Sequence, residues 1–319
     1  MIQLDDTTSS AIAAQFVRGR MQAGSPAMGM VMTLVVVTDE ERADEAMAAA
    51  RNASHEHPAR VLGLILGSGR GAPCVDAQVG IGDGWSGEHA MIRLRGEVVK
   101  HADSVVRPLL LPDSPVVIWW AGDAPANPAG NAIGALGNRR ITDAAEVTAT
   151  ADVALRRRAR YYTPGDTDLA WTRCTGWRAL LAAALDQYPA QIVQASVSAE
   201  RENPSGDLLA AWLADRLDVP VTRVVDDGPG VTEVLLRTAQ DEIRLTRPDA
   251  ARATLSIPGG GDRLVALRRR STEDLLAEEL RRLDEDEIFA ATLGALTAID
   301  SPDPDSSDSP APDADRVLP

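Results

Sequence analysis

Residues 31–66 read VMTLVVVTDEERADEAMAAARNASHEHPARVLGLIL. The first seven of them form an uninterrupted run rich in β-branched side chains, the pattern of a strand covered on both faces. Thr38 and Glu41 have capping-box spacing, which predicts a helix beginning there. Ala43, Ala46, Met47, Ala50 and Ala53 recur at three- and four-residue steps and supply its apolar stripe. His57-Pro58 ends it, because proline disfavours a helical residue before it. Residues 60–66 then read as a second buried strand. A strand, a helix and a strand in that order imply a right-handed crossover and a parallel pair.

Upstream, residues 1–29 read as an N-terminal helix and loop, with an apolar alanine-rich stretch at 11–17 broken by Gly24, Ser25 and Pro26. Downstream, residues 75–81 and 89–97 alternate around a glycine-rich turn, as a hairpin does. Residues 98–110 read as helical, and 116–120 as a buried strand bracketed by Pro115 and Gly122. Residues 127–136 suggest a loop with a short helix. A basic helix at 151–162 is closed by Pro164-Gly165.

The pattern then changes. Residues 169–185 read as helical with a break near Gly176, and 192–199 as a strand. Asn203-Pro204 places a capping residue before a proline at the first helical position. Leu208, Leu209, Trp212, Leu213 and Leu217 follow as one buried face. Residues 221–270 hold alternating segments divided by Asp227-Gly228, Arg247-Pro248 and Pro258-Gly259, which predicts an antiparallel meander. Ser271 and Asp274 cap an amphipathic helix carrying Leu276, Leu280 and Leu283. A further helix carries Ile288, Phe289, Leu293 and Leu296. After Asp300 the chain is proline, serine and aspartate, too polar to order itself. The expected fold class is therefore α/β. A Rossmann-like domain at 30–163, mostly parallel with an added hairpin, precedes an α+β domain with an antiparallel meander at 164–298. A disordered acidic tail follows at 299–319.

Composition narrows the function. A chain of 319 residues with 45% hydrophobic content suits two cored domains. A net charge of -15 argues against nucleic acid or an anionic membrane as partner. The two cysteines, Cys74 and Cys174, form neither a CxxC nor a zinc pattern, and a reduced cytoplasmic setting is expected. A disulfide between them would require Cα atoms within about 7 Å. The acidic start has no signal-peptide character, and no apolar run is long enough to span a bilayer.

Recognisable catalytic constellations are missing. The helix after the first strand begins with Asp39, Glu40 and Glu41, which already satisfy its positive end and would repel a pyrophosphate. Gly82, Gly84 and Gly87 match GxGxxG but lie between two strands, so a hairpin loop is the expected reading. His55-Glu56-His57 has no third ligand at metal-site spacing and is expected to be solvated at a helix end. Gly67-Ser68-Gly69 is no nucleophile elbow, and the four histidines form no triad pattern. Expected are no catalytic residue, no cofactor and no metal. Trp119 and Trp120 close a buried strand. Successive strand residues point to opposite faces, so one is core and its neighbour lies on the second face or at the sheet's end. Arg156, Arg157, Arg158 and Arg160 form the densest positive run, with Arg139 and Arg140 before it. They read either as a solvated helix face or as a site for an acidic partner. Trp171, Cys174, Trp177 or Arg178, and Leu181 fall on roughly one helix face, with Asp168 near the helix start.

Several segments together resemble the glucose-6-phosphate dehydrogenase assembly protein family, the OpcA family, in its actinobacterial form. They are TLVVVTDE from Thr33, VVIWWAGDAP from Val116, RRITDA from Arg139, TPGDTDLAWTR from Thr163 and RRRSTEDLLAEELRRLDEDEIF from Arg268. Their order is the family's order. Where members carry a proline ahead of the second junction tryptophan, this chain has Gly176. The resemblance implies a non-catalytic accessory protein. Such a protein binds glucose-6-phosphate dehydrogenase, promotes its active oligomer and raises its activity, feeding the oxidative pentose phosphate pathway and NADPH supply. In photosynthetic bacteria the family is linked to thiol redox control. The candidate partner-binding residues are Trp171, Arg173 and Trp177, with Arg156, Arg157 and Arg158 as a second set. The alternative is a sugar-phosphate-binding sensor module, using a crevice near Trp120 and Asp123.

Overall fold

The computed structural model describes residues 1–23, 29–82, 85, 87–147, 151–249 and 252–298. The acidic tail expected at 299–319, the break at Gly24, Ser25 and Pro26, and Gly84 of the glycine motif lie outside the described residues. Strand β1 (Ile2–Leu4), helix α1 (Ser9–Ala23), β2 (Met32–Thr38), α2 (Ala43–Glu56), β3 (Ala59–Leu66), β4 (Cys74–Ile81) and β5 (Glu88–Arg95) open the chain. A helical stretch centred on α3 (Ala102–Val106) leads to β6 (Val116–Trp120) and β7 (Arg139–Thr142). Next come α4 (Ala151–Ala159), β8 (Asp166–Asp168), α5 (Leu169–Arg173), α6 (Thr175–Gln187), β9 (Gln194–Glu200) and α7 (Pro204–Leu217). Strands β10 (Val221–Asp226), β11 (Val231–Arg237), β12 (Glu242–Thr246), β13 (Arg252–Ile257) and β14 (Gly261–Ala266) precede α8 (Thr272–Leu280) and α9 (Glu287–Ala298).

The large sheet has the order β1-β4-β5-β3-β2-β6-β7-β8. From β5 to β8 every neighbouring pair is parallel, and the β4–β5 hairpin and β1 add an antiparallel edge. All seven residues of β2 are buried, as an apolar run at the centre of a two-sided sheet must be. One face, with Val35, Leu62, Leu64 and Trp120, is covered by Ile12 and Phe16 of α1 and by the α3 region. The other face, with Leu34, Val36 and Trp119, is covered by α2 and by Leu275, Leu276 and Leu280 of α8. Trp119 and Trp120 thus point to opposite faces and both are buried.

The second sheet has the order β10-β9-β11-β12-β13-β14. Strands β11 to β14 are the expected meander, whereas β10 lies parallel to β9 because α7 makes the crossover between them. Helices α6 and α7 cover one face through Trp177, Leu181, Leu209 and Leu213. The chain then returns: α8 packs on the large sheet, and α9 joins α4 and α7 around Trp171, Leu155, Leu208 and Phe289.

Three local expectations are corrected. The helix after β2 begins at Ala43, not at a capping box on Thr38, because Asp39 Oδ1 accepts the Arg42 N–H at 2.9 Å and closes a turn first. The helical run from Leu169 breaks at Cys174, two residues before Gly176, so Trp171 and Trp177 sit on separate helices. The capped helix at Ser271 ends at Leu280, and Leu283 packs from beyond its end. The Asn203-Pro204 start holds, with Asn203 Oδ1 accepting the Gly206 N–H at 2.8 Å.

Candidate functional site

The carboxyl ends of β6, β7 and β8 meet the start of α5 and the length of α8 in a buried polar junction. Asp168 is its first centre. As N-cap of α5 it accepts the Ala170 N–H at 2.9 Å through Oδ1, which also accepts the Ala144 N–H at 3.0 Å. Its Oδ2 accepts from Thr142 Oγ1 at 2.6 Å and from Arg158 Nη1 at 3.3 Å. One carboxylate therefore fixes the ends of two strands, a helix start and a side chain of α4. A buried carboxylate needs that number of donors to offset its lost hydration.

Asp143 and Arg173 make the second centre. Arg173 Nη1 and Nη2 each donate to one Asp143 oxygen at 2.7 Å, the two-pronged geometry that guanidinium favours. Burial pushes the Asp143 carboxyl up, and Arg173 opposes that shift. Burial also raises the carboxyl of neighbouring Glu146, aided by the Asp143 charge. Glu279 of α8 is the third centre. It accepts from Arg139 and, at 2.6 Å, from Thr172 Oγ1, so it ties α8 to β7 and α5. Arg140 pairs with Asp166 one strand away, and burial pushes that carboxyl up against the arginine.

The predicted partner residues fall into this frame. Trp171 and Trp177 are each 1% exposed, so their indoles are interior groups and not part of a free surface. Trp171 donates Nε1–H to Asp286 at 2.8 Å, and the Arg178 guanidinium lies 3.6 Å from its ring centroid. Trp177 belongs to the core of the second sheet, under the Arg247 guanidinium at 5.1 Å. Arg173 is half-buried in its ion pair, Arg158 is buried against Asp168, and Arg156 donates to the Leu296 carbonyl at 3.1 Å. Arg157 is exposed. The arginine run is therefore no uniform face: two of its members are structural ties.

At the switch point between β2 and β6, a crevice of about 90 Å³ is lined by Arg42, Glu45, Trp119, Gly122, Asp143 and Glu146. Trp119 lines it, and Trp120 points to the other face beside Gly134, so the expected pairing of Trp120 with exposed Asp123 does not form this crevice. Asp39 Oδ2 binds Arg42 Nη1 at 2.7 Å, and the Arg42 side chain lies over Gly122. A larger cleft of about 360 Å³ runs from Glu146 and Arg173 to the starts of α7 and α8.

Glu56 pairs with Arg281 at 2.8 Å, and the His57 Nε2 lies 3.1 Å from the Ala277 carbonyl, so two of the three residues that suggested metal ligands staple α2 to α8. Among the described residues no cluster of three His, Cys, Asp or Glu is placed to hold a metal ion. No described helix is long and apolar enough to cross a membrane. Cys74 begins β4, and Cys174 ends α5, the five-residue helix that follows β8; β4 and β8 lie six strand positions apart, about 29 Å at ordinary strand spacing, and both cysteines are free. That separation rules out an intramolecular disulfide in this fold.

Comparison with known proteins places the chain. Residues 50–160 match the N-terminal domain of the glucose-6-phosphate dehydrogenase subunit family, and residues 164–293 match the C-terminal domain of the same family. The chain belongs to this family, the OpcA assembly family of glucose-6-phosphate dehydrogenase. No curated protein matches it. Among solved structures, the 3-ketoreductase KijD10 of Actinomadura kijaniata, with NADP and TDP-benzene, is similar at 10% identity and a TM-score of 0.45. That match covers 84% of this chain and 96% of the other. An oxidoreductase of Sinorhizobium meliloti is similar at 10% identity and a TM-score of 0.43, over 84% and 95% of the two chains. These likenesses are too distant to bear on chemistry.

Proposed function

We propose that this chain is a non-catalytic accessory protein of glucose-6-phosphate dehydrogenase that binds the enzyme, promotes its active oligomer and raises its activity. The observation that carries the reading is the pair of consecutive family matches, both named for a subunit of that enzyme, spanning residues 50–293. The switch point supports it. In open α/β sheets a nucleotide uses helix N–H groups at that place. Here the turn presents Asp39, Glu40 and Glu41, and Arg42 is folded back on Asp39 over Gly122.

The mechanism is a population shift. The chain binds the substrate-competent form of the enzyme better than the resting form, so it raises apparent substrate affinity. Coupling of this kind is reciprocal, so glucose 6-phosphate tightens the complex between the two proteins. The role serves NADPH supply through the oxidative pentose phosphate pathway. On the contact face, Arg157 is the member of the predicted set that stands exposed for a partner, and Arg173 reaches the rim of the large cleft.

Analytical ultracentrifugation of the two purified proteins, with and without glucose 6-phosphate, tests the reading. A mixed species that forms at lower concentration when substrate is present agrees with it. Two proteins that sediment independently under both conditions refute it.

A further inference from the structure

The large cleft carries an unmet demand for negative charge. Arg247 is 6% exposed and has no carboxylate in salt-bridge contact. Its Nη1 and Nη2 donate to the carbonyls of Leu267 and Val231 at 3.3 and 3.1 Å, and its buried Nε has no partner. Arg269 is exposed and makes no hydrogen bond or ion pair among the described residues. Both guanidiniums converge on Gly230: a Cβ built there would stand 2.8 Å from Arg269 Nη2 and 3.6 Å from Arg247 Nη2. Burial lowers the Arg247 pKa and the Arg269 charge lowers it further, while the charge of Asp249, two residues on and outside hydrogen-bond reach of it, opposes them. Two cations facing one another across a glycine repel unless an anion lies between them.

The surrounding backbone adds to this. The cap residues of α7 and α8, Asn203 and Ser271, both line the cleft, so two helix amino ends of fourteen and nine residues open into it. Such ends favour anions through their dipoles; here Asn203 and Ser271 each cap one N–H, and Asp207 in α7 and Glu273 and Asp274 in α8 already offset part of the positive end, so the two arginines carry the argument. Two carboxylates also line the cleft. Glu200 is packed against Gly228, and Glu146 has its ionisation disfavoured by burial. The other cations of the lining are already matched: Arg173 by Asp143, Arg268 by Asp274 and Arg270 by Glu278. Arg247 and Arg269 are the pair left over.

We propose that this cleft binds a small phosphate monoester, with the phosphate between Arg247 and Arg269. A monoester phosphate carries about −1.5 to −2 charges and three strong acceptor oxygens, which suits two guanidiniums better than a single carboxylate does. The cleft volume of about 360 Å³ leaves room for an organic part beside the phosphate and falls in the range of small-molecule sites.

The test is isothermal titration calorimetry on the full chain at low salt, without dehydrogenase, using glucose 6-phosphate and glucose as probes. The ester is expected to bind and glucose to give no heat. Arg269→Ala should weaken the ester by about tenfold or more, the worth of a charge-assisted contact, while melting unchanged because its side chain holds nothing else. Absence of binding by the ester at millimolar concentration overturns the proposal, as does equal affinity in Arg269→Ala. Since no enzyme is present, either result leaves the accessory role standing on its own test.

Discussion

Removing the Arg173 side chain should unlock the polar junction, and pH should control how far. Arg173 meets Asp143 with two hydrogen bonds of 2.7 Å, and Asp143 is 2% exposed. In Arg173→Ala, Asp143 keeps the Ala145 N–H at 3.1 Å as its remaining hydrogen bond and faces the Asp168 charge. Breaking a buried pair by deleting one partner costs about 3–5 kcal/mol. Arg173 reaches partly into solvent, with 24% of its side chain exposed, so water entering its place moves the cost to the lower end, about 3 kcal/mol. For a chain of this size that corresponds to a fall in melting temperature of roughly 4–5 °C.

The sign of the pH effect follows from the carboxyl. Burial already holds the Asp143 pKa up against the pull of Arg173, and loss of the arginine raises it further. The unfolded chain releases that proton near pH 3.9, so above that value the folded variant binds more protons than the unfolded one. Its stability therefore falls as pH rises through the folded pKa. Scanning calorimetry should show the deficit against wild type shrinking as pH drops from 8 towards 5. Adding Asp143→Asn should recover most of the loss at pH 8, since no buried charge then remains. A variant that melts with wild type, or a deficit equal at both pH values, refutes the reasoning.

Trp171→Ala should cost about 3–5 kcal/mol by chemical denaturation, since the indole is buried, stacked under Arg178 and bonded to Asp286. Trp171→Phe should cost about 1–2 kcal/mol, keeping the contact with Phe289 and losing the Nε1–H bond. Burial pushes the Cys174 thiol up to about 12, so a thiol reagent at pH 8 should titrate Cys74 alone in the native protein and both cysteines in denaturant. Gly165→Ala should destabilise by about 1–3 kcal/mol, because φ there is +91° and a Cβ would stand 2.3 Å from the Asn138 carbonyl oxygen.

The parts of the fold that were readable are those where one stretch of chain contains its own reason. Strands β2, β3 and β6 are apolar on both faces, α2 carries its stripe, and Asn203-Pro204 is a complete start signal. Strand β7 was not readable, because Arg139 and Arg140 look like surface charge in any local window. Both are buried, and their partners Glu279 and Asp166 lie 140 and 26 residues away. Strand β8, Asp166–Asp168, looks like a loop for the same reason: its carboxylates are buried only because distant donors meet them. The short β1 forms the sheet edge beside β4, and its three residues, Ile2, Gln3 and Leu4, are too few for their alternation to announce a strand.

The site was legible in outline and not in detail. Helical spacing groups Trp171 and Trp177 on one face and could not say that a break at Cys174 sends each into a different core. The sequence puts Asp168 near a helix start, and its role as the hub of two strands needs the sheet. Arg247 and Arg269 carried no signal, since nothing local distinguishes an arginine that lacks a carboxylate from its neighbours that have one.

The accessory role is tested most directly by the substrate dependence of the same organism's glucose-6-phosphate dehydrogenase, measured with increasing amounts of the purified chain. A lower apparent Michaelis constant or a higher turnover, saturating as the chain reaches a fixed ratio to enzyme, is the predicted result. Kinetics and oligomer size that stay unchanged, in a mixture where both proteins are shown to be folded, would contradict the account.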